Sequence, residues 1–233
     1  SYARQVVEQT NLLEERYKSH TETRELFSVS SQHYAFVVNA FVSLLKRADM
    51  TRYELFLRET RTYEIIEDVK NFRSEIGVLF LNSYNRDVLT KMFDDNRLTY
   101  NSLFKARPHI FVSKSNPLAK HEVVSLEDLE DFPYLSYDQG IHNSFYYSEE
   151  ILSQIPHKKS IVVSDRATLF NLLIGLDGYT IATGILNSNL NGDNIVSIPL
   201  DIDDEIDIVY LKHEKATLSK MGEKFLDNLV KEV

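Results

Sequence analysis

Apolar residues follow two different periods along this chain. Short apolar runs, which are typical of buried strands, alternate with stretches in which apolar residues recur every three or four positions, as in amphipathic helices. The clearest strand is the run Ile-Gly-Val-Leu-Phe-Leu at 76–81. Apolar strands separated by helices indicate a parallel sheet covered on both faces. The predicted strands are 26–29, 52–57, 76–81, 134–137, 158–163, 179–183, 195–198 and 206–211, and the predicted helices are 34–45, 63–73, 85–95, 143–154, 165–174 and 218–230.

Two further segments indicate how these units are organised. Residues 98–113 are extended and interrupted only by Pro108, which predicts one long strand that crosses between two lobes. Residues 2–18 contain no glycine or proline and carry a narrow apolar seam, which predicts an exposed helix in front of the lobes. This helix either lies on its own domain or pairs with another helix. Only Ser1 resembles a helix start, so we expect the helix to begin upstream.

The composition restricts the class of protein. A length of 233 residues allows one large domain or two lobes of about 100 residues each. The fractions of hydrophobic residues, 43%, and charged residues, 26%, exclude collagen, disordered tails and disulfide scaffolds. The net charge of −9 repels a phosphate backbone, so we expect no direct contact between this chain and nucleic acid.

The expected location is the cytoplasm. The absence of cysteine excludes disulfides and thiolate catalysis, and it fits a reducing compartment. No apolar run approaches the roughly 20 residues that span a bilayer, and the first residues lack the pattern of a signal peptide. We therefore expect no membrane contact.

The sequence lacks the motifs of known catalytic, cofactor and metal sites. Its seven histidines are scattered, and none lies in an H-x-x-x-H or H-E-x-x-H arrangement, so no metal site is predicted. No G-x-S-x-G, P-loop or dinucleotide fingerprint is present, so no catalytic residue and no cofactor are predicted. His33 follows a serine-rich turn, where it is either a surface imidazole or a group that titrates near neutral pH.

Polar side chains at strand ends are the candidates for ligand binding. In such sheets, ligands bind beyond the carboxyl ends of the strands, beside the free N–H groups of helix N-termini. Each candidate also has a purely structural interpretation, such as a helix cap or a turn. An acidic side chain favours a ligand with an amine and bare helix ends favour an anion, so the charge of the ligand stays open. The candidates are Ser30, Ser31, Gln32, Asn82, Ser83, Tyr137, Asp138, Gln139, Ser164, Asp165 and Thr183.

Several segments, in register with one another, resemble the effector-binding domain of LysR-type transcriptional regulators. The polar turn at 30–32 is similar to the first ligand loop of that family, and the strand at 76–81 is similar to the strand before its second ligand loop. The segment 110–118, Ile-Phe-Val-Ser-Lys-Ser-Asn-Pro-Leu, looks like the family's V…HPL crossover. Residues 125–137 look like its L-x-D-L…P-x-I block.

The resemblance covers nearly the whole chain but weakens at one turn. Residues 165–184 correspond to the place where the family has a G-x-G-I-x-x-L-P pattern. Here Asp177 lies between two glycines, and Gly184 stands near the expected proline. We therefore expect this loop to differ from the family pattern.

The resemblance implies an α/β fold of the type II periplasmic-binding-protein kind. Two lobes are hinged by two crossover strands and preceded by part of a linker helix. By this resemblance, residues 1–19 are the end of the linker helix, 20–105 plus 201–233 form the first lobe, and 106–200 form the second lobe. A small molecule is expected in the cleft between the lobes, next to the candidate residues above.

The resemblance also implies a sensor rather than an enzyme. A small polar effector, either an organic acid or an amino-acid-like metabolite, is expected to control DNA binding by a winged helix-turn-helix domain that would precede residue 1. Family members form dimers and tetramers, which implies a homodimer or homotetramer here, through the helices at 34–45 and 143–154. Two alternatives share the fold: a solute-binding protein that serves a transporter, and an enzyme such as a transferase.

Overall fold

Two five-stranded sheets, each with its own helices, form the structure. This computed structural model describes residues 25–47, 53–186 and 192–231, so the predicted helix at 2–18 lies outside the described residues. The described residues 27–47, 56–186 and 192–231 belong to one compact unit.

Ten strands and five α-helices lie in the described ranges. The strands are β1 Glu25–Ser31, β2 Tyr53–Glu59, β3 Ile76–Leu81, β4 Leu98–Ala106, β5 His109–Ser113, β6 Tyr134–Tyr137, β7 Ser160–Val163, β8 Tyr179–Ala182, β9 Ile195–Pro199 and β10 Ile206–His213. The helices are α1 Ala35–Arg47, α2 Thr62–Lys70, α3 Arg86–Asp95, α4 Arg166–Leu176 and α5 Lys220–Lys231. Short 3₁₀ helices occupy Pro117–Lys120, Glu127–Leu129 and Phe145–Tyr147.

Both sheets are mixed, whereas the sequence pattern predicts parallel strands. The first sheet has the order β2-β1-β3-β10-β4, and the second has the order β7-β6-β8-β5-β9. β1 is parallel to β3, and β6 is parallel to β7 and β8. β10 runs antiparallel to both of its neighbours, and so does β5. The prediction of a parallel sheet is therefore wrong for the strands around β5 and β10, because the chain enters these positions when it passes from one sheet to the other.

The chain passes between the two sheets twice. β4 belongs to the first sheet and β5 to the second, so the single long strand predicted at 98–113 is in fact two strands. The break falls at Arg107 and Pro108, where proline has no N–H group for a strand ladder. The second passage lies between β9 and β10. The expected two-lobe fold is thus confirmed, and the lobe limits at 20–105 plus 201–233 and at 106–200 stay a prediction.

The prediction of a helix at 143–154 is wrong. Within this segment only Phe145–Tyr147 is helical, as a 3₁₀ turn, and the remainder consists of turns and bends. Leu152 has a φ of 60°, in the left-handed region that an α-helix excludes. Glu149 and Glu150, which lie in this segment, are buried. The other predicted strands and helices within the described residues are present, with ends shifted by a few residues.

Each sheet has its own apolar core. In the first lobe, α2 and α3 pack on β3, β4 and β10 through side chains that include Ile65, Leu79 and Phe93. In the second lobe, α4 packs through Leu169 and Leu173. Burial of each large apolar side chain contributes about 1.5–3 kcal/mol. Within the described residues, no helix is both long and apolar enough to cross a membrane.

The packing of α2 on β3 predicts opposite effects for two glycine substitutions. We expect Gly77→Ala to lower the free energy of unfolding by about 1–3 kcal/mol. A Cβ at Gly77 would lie 2.8 Å from Ile65 Cγ2 and 2.9 Å from Val69 Cγ2. The control is Gly175→Ala in α4, where a Cβ would meet no heavy atom within 4 Å beyond its chain neighbours and the backbone of its own helix. We expect this variant to be more stable by about 0.5–1 kcal/mol.

The two variants are compared by urea denaturation. If Gly77→Ala and Gly175→Ala change the free energy of unfolding in the same direction, the close packing of α2 on β3 does not control stability.

Candidate functional site

A cavity of about 620 Å³, including its opening to solvent, lies between residues of the two sheets. From the first lobe it is lined by residues that follow β1 and by side chains of β3 and β10. From the second lobe it is lined by β5, β8, α4 and the segment 149–151. Most of the lining is apolar, and the aromatic residues in it are Tyr34, Phe36, Phe80, Phe111, Tyr137 and Phe170. The polar and charged residues in the lining are His33, Glu149, Glu150, Arg166, Thr180 and Thr183.

His33 and Glu149 join the two lobes at this cavity. Glu149 Oε2 accepts a hydrogen bond from the His33 backbone N–H at 2.9 Å and lies 2.8 Å from His33 Nδ1. The two side chains are only 6% and 2% exposed, respectively. The His33 ring also stacks on Tyr137, with the ring centroids 4.1 Å apart. Burial by itself lowers the pKa of His33, but the hydrogen bond and the charge of Glu149 outweigh it and raise this pKa above its ordinary value.

Glu150 lies beside this pair without a charged partner of its own. Its Oε1 accepts a hydrogen bond from the Tyr137 backbone N–H at 2.9 Å, whereas Oε2 has no hydrogen-bond partner among the described residues. The residue is 3% exposed. Burial, with the negative charge of Glu149 as the second cause, raises the pKa of Glu150 well above its ordinary value. The site therefore contains one buried carboxyl group without a charged partner.

Three further contacts connect the lobes around the cavity. Arg166, the first residue of α4, donates from Nε to Glu59 Oε1 at 2.9 Å and from Nη2 to Glu59 Oε2 at 3.4 Å. Arg61 Nη2 and Asp138 Oδ2 are 2.5 Å apart.

Gln139 makes the third contact. Its Oε1 accepts from the Thr62 backbone N–H at 3.1 Å, and its Nε2 donates to Glu149 Oε1 at 3.0 Å. One side chain thus connects the start of α2 to the buried carboxylate. Such bonds hold the lobes in the arrangement that encloses the cavity.

The family model described as the LysR substrate binding domain matches residues 30–233. The chain belongs to this family. It is the ligand-sensing regulatory domain of a LysR-type regulator, and the family is not an enzyme family. The comparison with curated protein sequences gives no match.

Solved structures share the fold of this LysR substrate binding domain. HinK, a LysR family transcriptional regulator from Pseudomonas aeruginosa, has a TM-score of 0.57 at 13% identity, over 99% of this chain and 78% of that chain. The effector binding domain of QuiR in complex with shikimate has a TM-score of 0.58 at 16% identity, over 90% and 97%. Full-length CbnR complexed with target DNA has a TM-score of 0.63 at 12% identity, over 99% and 79%.

The predicted ligand loop of this domain, residues 30–32, is buried within the first lobe. Ser30 and Ser31 belong to β1, and they and Gln32 are fully buried. Ser30 Oγ donates to Asp68 at 2.6 Å and lies 2.8 Å from Ser74 Oγ. Ser31 Oγ has no hydrogen-bond partner among the described residues.

Both the nitrogen and the oxygen of the Gln32 side-chain amide make hydrogen bonds. Gln32 Nε2 donates to Thr62 Oγ1 at 2.6 Å, and Oε1 accepts from Tyr34 Oη at 2.6 Å and from the Phe80 backbone N–H at 3.0 Å. Ligand binding by residues 30–32 stays a prediction.

The second predicted loop of the first lobe also forms local bonds. Asn82 donates from Nδ2 to Asp204 at 3.1 Å and accepts from the Tyr84 and Asn85 backbone N–H groups. Ser83 Oγ donates to Asp204 at 3.4 Å. Asn82 and Ser83 are not among the residues that line the cavity.

The candidates of the second lobe are divided between the cavity and structural positions. Tyr137 and Thr183 line the cavity. Asp138 and Gln139 make the bonds between lobes described above. Ser164 is exposed, and Asp165 caps α4 by accepting from the Thr168 backbone N–H at 2.8 Å.

The structure also adds residues that the sequence did not identify. Glu149 and Glu150 fall in the helix predicted at 143–154, Arg166 falls in the helix predicted at 165–174, and a surface position is one interpretation of His33. The pattern held one signal for the carboxylates: two adjacent glutamates follow an aromatic run and precede an apolar pair. In residues 25–47, 53–186 and 192–231, no group of three or more His, Cys, Asp or Glu residues is arranged to hold a metal ion.

The buried His33–Glu149 pair predicts a pH-dependent effect of His33→Gln. A raised pKa in the folded state means that this pair stabilises the protein fully below about pH 6.5, the ordinary pKa of histidine, and that the contribution is lost as the pH rises through the raised pKa. We expect the variant to lose about 1–3 kcal/mol of unfolding free energy at about pH 6, and less at about pH 9.

Chemical denaturation at several pH values measures this effect. His121→Gln, at an exposed position, controls for the loss of an imidazole. A His33→Gln deficit that grows with rising pH would contradict the charged pair.

Because the buried Glu150 carboxyl group has no charged partner, we expect Glu150→Gln to stabilise the unliganded protein. A carboxyl group with a raised folded-state pKa contributes stability below its ordinary value of 4.5, and this contribution is lost as the pH rises. The amide keeps an acceptor for the Tyr137 N–H and removes the cost of a buried charge.

We expect Glu150→Gln to exceed the native protein in unfolding free energy by about 1 kcal/mol or more at about pH 8, with little difference at about pH 4. Glu122→Gln, which is exposed, is the control. Denaturation that shows Glu150→Gln to be less stable at both pH values would refute a buried, unpaired carboxyl group.

Proposed function

We propose that the cavity lined by His33, Tyr137 and Glu150 is the effector site of this LysR substrate binding domain. One observation carries the proposal: both lobes line the cavity, and ion pairs between the lobes surround it. A molecule bound there contacts both lobes at once. Its affinity therefore depends on how the lobes are arranged, and this dependence is what lets a ligand shift a conformational equilibrium.

We further propose that the effector is a small polar metabolite, an organic acid or an amino-acid-like compound, that is bound and not chemically changed. The cavity has mainly apolar walls with a few polar side chains, which is the lining typical of sites for small molecules. The similar effector binding domain of QuiR was solved with shikimate, a small organic acid. Among the predicted binding residues, Tyr137 and Thr183 have the most direct support because they line the cavity.

The output of this sensor is control of DNA binding by a winged helix-turn-helix domain outside this chain, in the cytoplasm. The solved complex of the similar protein CbnR with its target DNA supports this role. The net charge of −9 is consistent with a chain that does not itself contact DNA. We propose assembly as a homodimer or homotetramer through α1, since the segment 143–154 does not form the second helix expected for this contact.

The proposed site predicts that Ala182→Phe abolishes effector binding. Ala182 lies on β8 and lines the cavity, so a benzyl group there would fill the space that an effector needs. In the native protein, an effector at a hundredfold excess over its Kd adds about 2.7 kcal/mol of stability. We expect a rise in Tm of several degrees for a hit from a panel of organic acids and amino acids, and no rise for Ala182→Phe.

Ala167→Phe, an exposed position on α4 that does not line the cavity, is the control and should keep the rise in Tm. If Ala182→Phe responds to the same compounds as the native protein, the effector binds elsewhere.

A further inference from the structure

The charged groups around the cavity do not balance. His33 is paired with Glu149, and Arg166 is paired with Glu59. Within each pair, one basic side chain balances one carboxylate. Glu150 remains, and the described residues offer it backbone N–H groups but no cationic partner. The site thus has one more carboxyl group than it has basic side chains.

The free oxygen of Glu150 is a specific feature of this imbalance. Buried polar atoms in proteins are almost always hydrogen-bonded, and an unsatisfied one costs about 1–3 kcal/mol. Glu150 Oε2 has no such partner although the residue is 3% exposed and belongs to the cavity lining. A group that enters the cavity and donates a hydrogen bond to this oxygen would remove the cost.

The walls of the cavity to which Glu150 belongs suit an apolar body attached to that donor. Tyr137 and Phe170 contribute aromatic rings, and Ile151 and Leu169 contribute aliphatic side chains. Aromatic faces attract cations as well as apolar groups, because the ring quadrupole places negative potential on the face.

We infer that the effector of this site is an amine, with an apolar body against the aromatic walls and a protonated nitrogen bound to Glu150. This inference rests on the proposed function, because it names the class of molecule that the same cavity takes. It also resolves the choice, open from the sequence, between an organic acid and a compound that carries an amine.

An anionic effector fits the same charges poorly. Arg166 lines the cavity, but its guanidinium is already bound to Glu59 by two hydrogen bonds. A carboxylate in the cavity would lie near Glu149 and Glu150, and the charge of Arg166 is already balanced by Glu59. The net charge of the chain, −9, also attracts cations and repels anions as they approach.

Three probes that share a phenyl body test the inference. Phenethylamine carries the cation, 2-phenylethanol a neutral donor, and 3-phenylpropionate an anion. Isothermal titration calorimetry of the native protein at neutral pH and constant ionic strength should rank them in that order of affinity. A charged pair in a buried site contributes more than a neutral hydrogen bond, so we expect phenethylamine to bind at least about tenfold more tightly than the alcohol.

Glu150→Gln then tests the residue itself. We expect this variant to weaken phenethylamine binding by about tenfold or more and 2-phenylethanol binding by less than about threefold. Glu122→Gln, the exposed control, should change neither value. The ranking in the native protein needs no variant, so it tests the inference even if Glu150→Gln does not fold.

The outcomes separate this inference from the proposed function. Phenethylamine that binds no better than 3-phenylpropionate, does not bind at millimolar concentration, or binds Glu150→Gln as tightly as the native protein overturns the amine inference. If the preferred probe is then lost in Ala182→Phe, the cavity is still the effector site. Probe binding that Ala182→Phe leaves unchanged overturns the proposed site as well.

Discussion

The burial of two adjacent carboxylates, Glu149 and Glu150, is the constraint on which the rest of this structure depends. A charge that leaves water must find partners inside the protein, or the cost amounts to several kcal/mol. Glu149 bonds to the side chains of His33 and Gln139, whereas Glu150 bonds only to backbone N–H groups, that of Tyr137 among them. These partners lie on both lobes, so the two side chains determine where the lobes meet and what surrounds the cavity between them.

This constraint also connects the cavity to its proposed use as a sensor. His33, Arg61 and Thr62 of the first lobe each bond to the second lobe near the cavity. A change in the charge or contents of the cavity therefore acts on bonds that hold the lobes together. A ligand shifts an equilibrium only by the difference in its affinity for the two arrangements, and contacts with both lobes create such a difference.

The serine-rich segment shows why local sequence is ambiguous at strand ends. Serine is a preferred N-cap residue, and Ser30 and Ser31 precede a helix, so an open ligand loop is a reasonable prediction. In the structure both residues extend β1, and Ser30 bonds to Asp68 and Ser74. These partners lie some forty residues away in the chain, at positions that the local pattern cannot relate to Ser30.

Local periodicity and composition alone determined most of the elements of this protein, and motifs in register determined its family. The strands at 76–81 and 134–137 were predicted with their observed ends, because a short apolar run between turn residues has few alternatives to a buried strand. Only the tertiary structure decided the direction of β5 and β10, the conformation of the segment 143–154 and the burial of Glu150. Each of these depends on residues distant in sequence: the buried position of Glu149, for example, is stabilised by His33 and Gln139, which bond to its carboxylate. The helical propensity of the segment, worth a few tenths of a kcal/mol per residue, is smaller than the energy of those buried contacts.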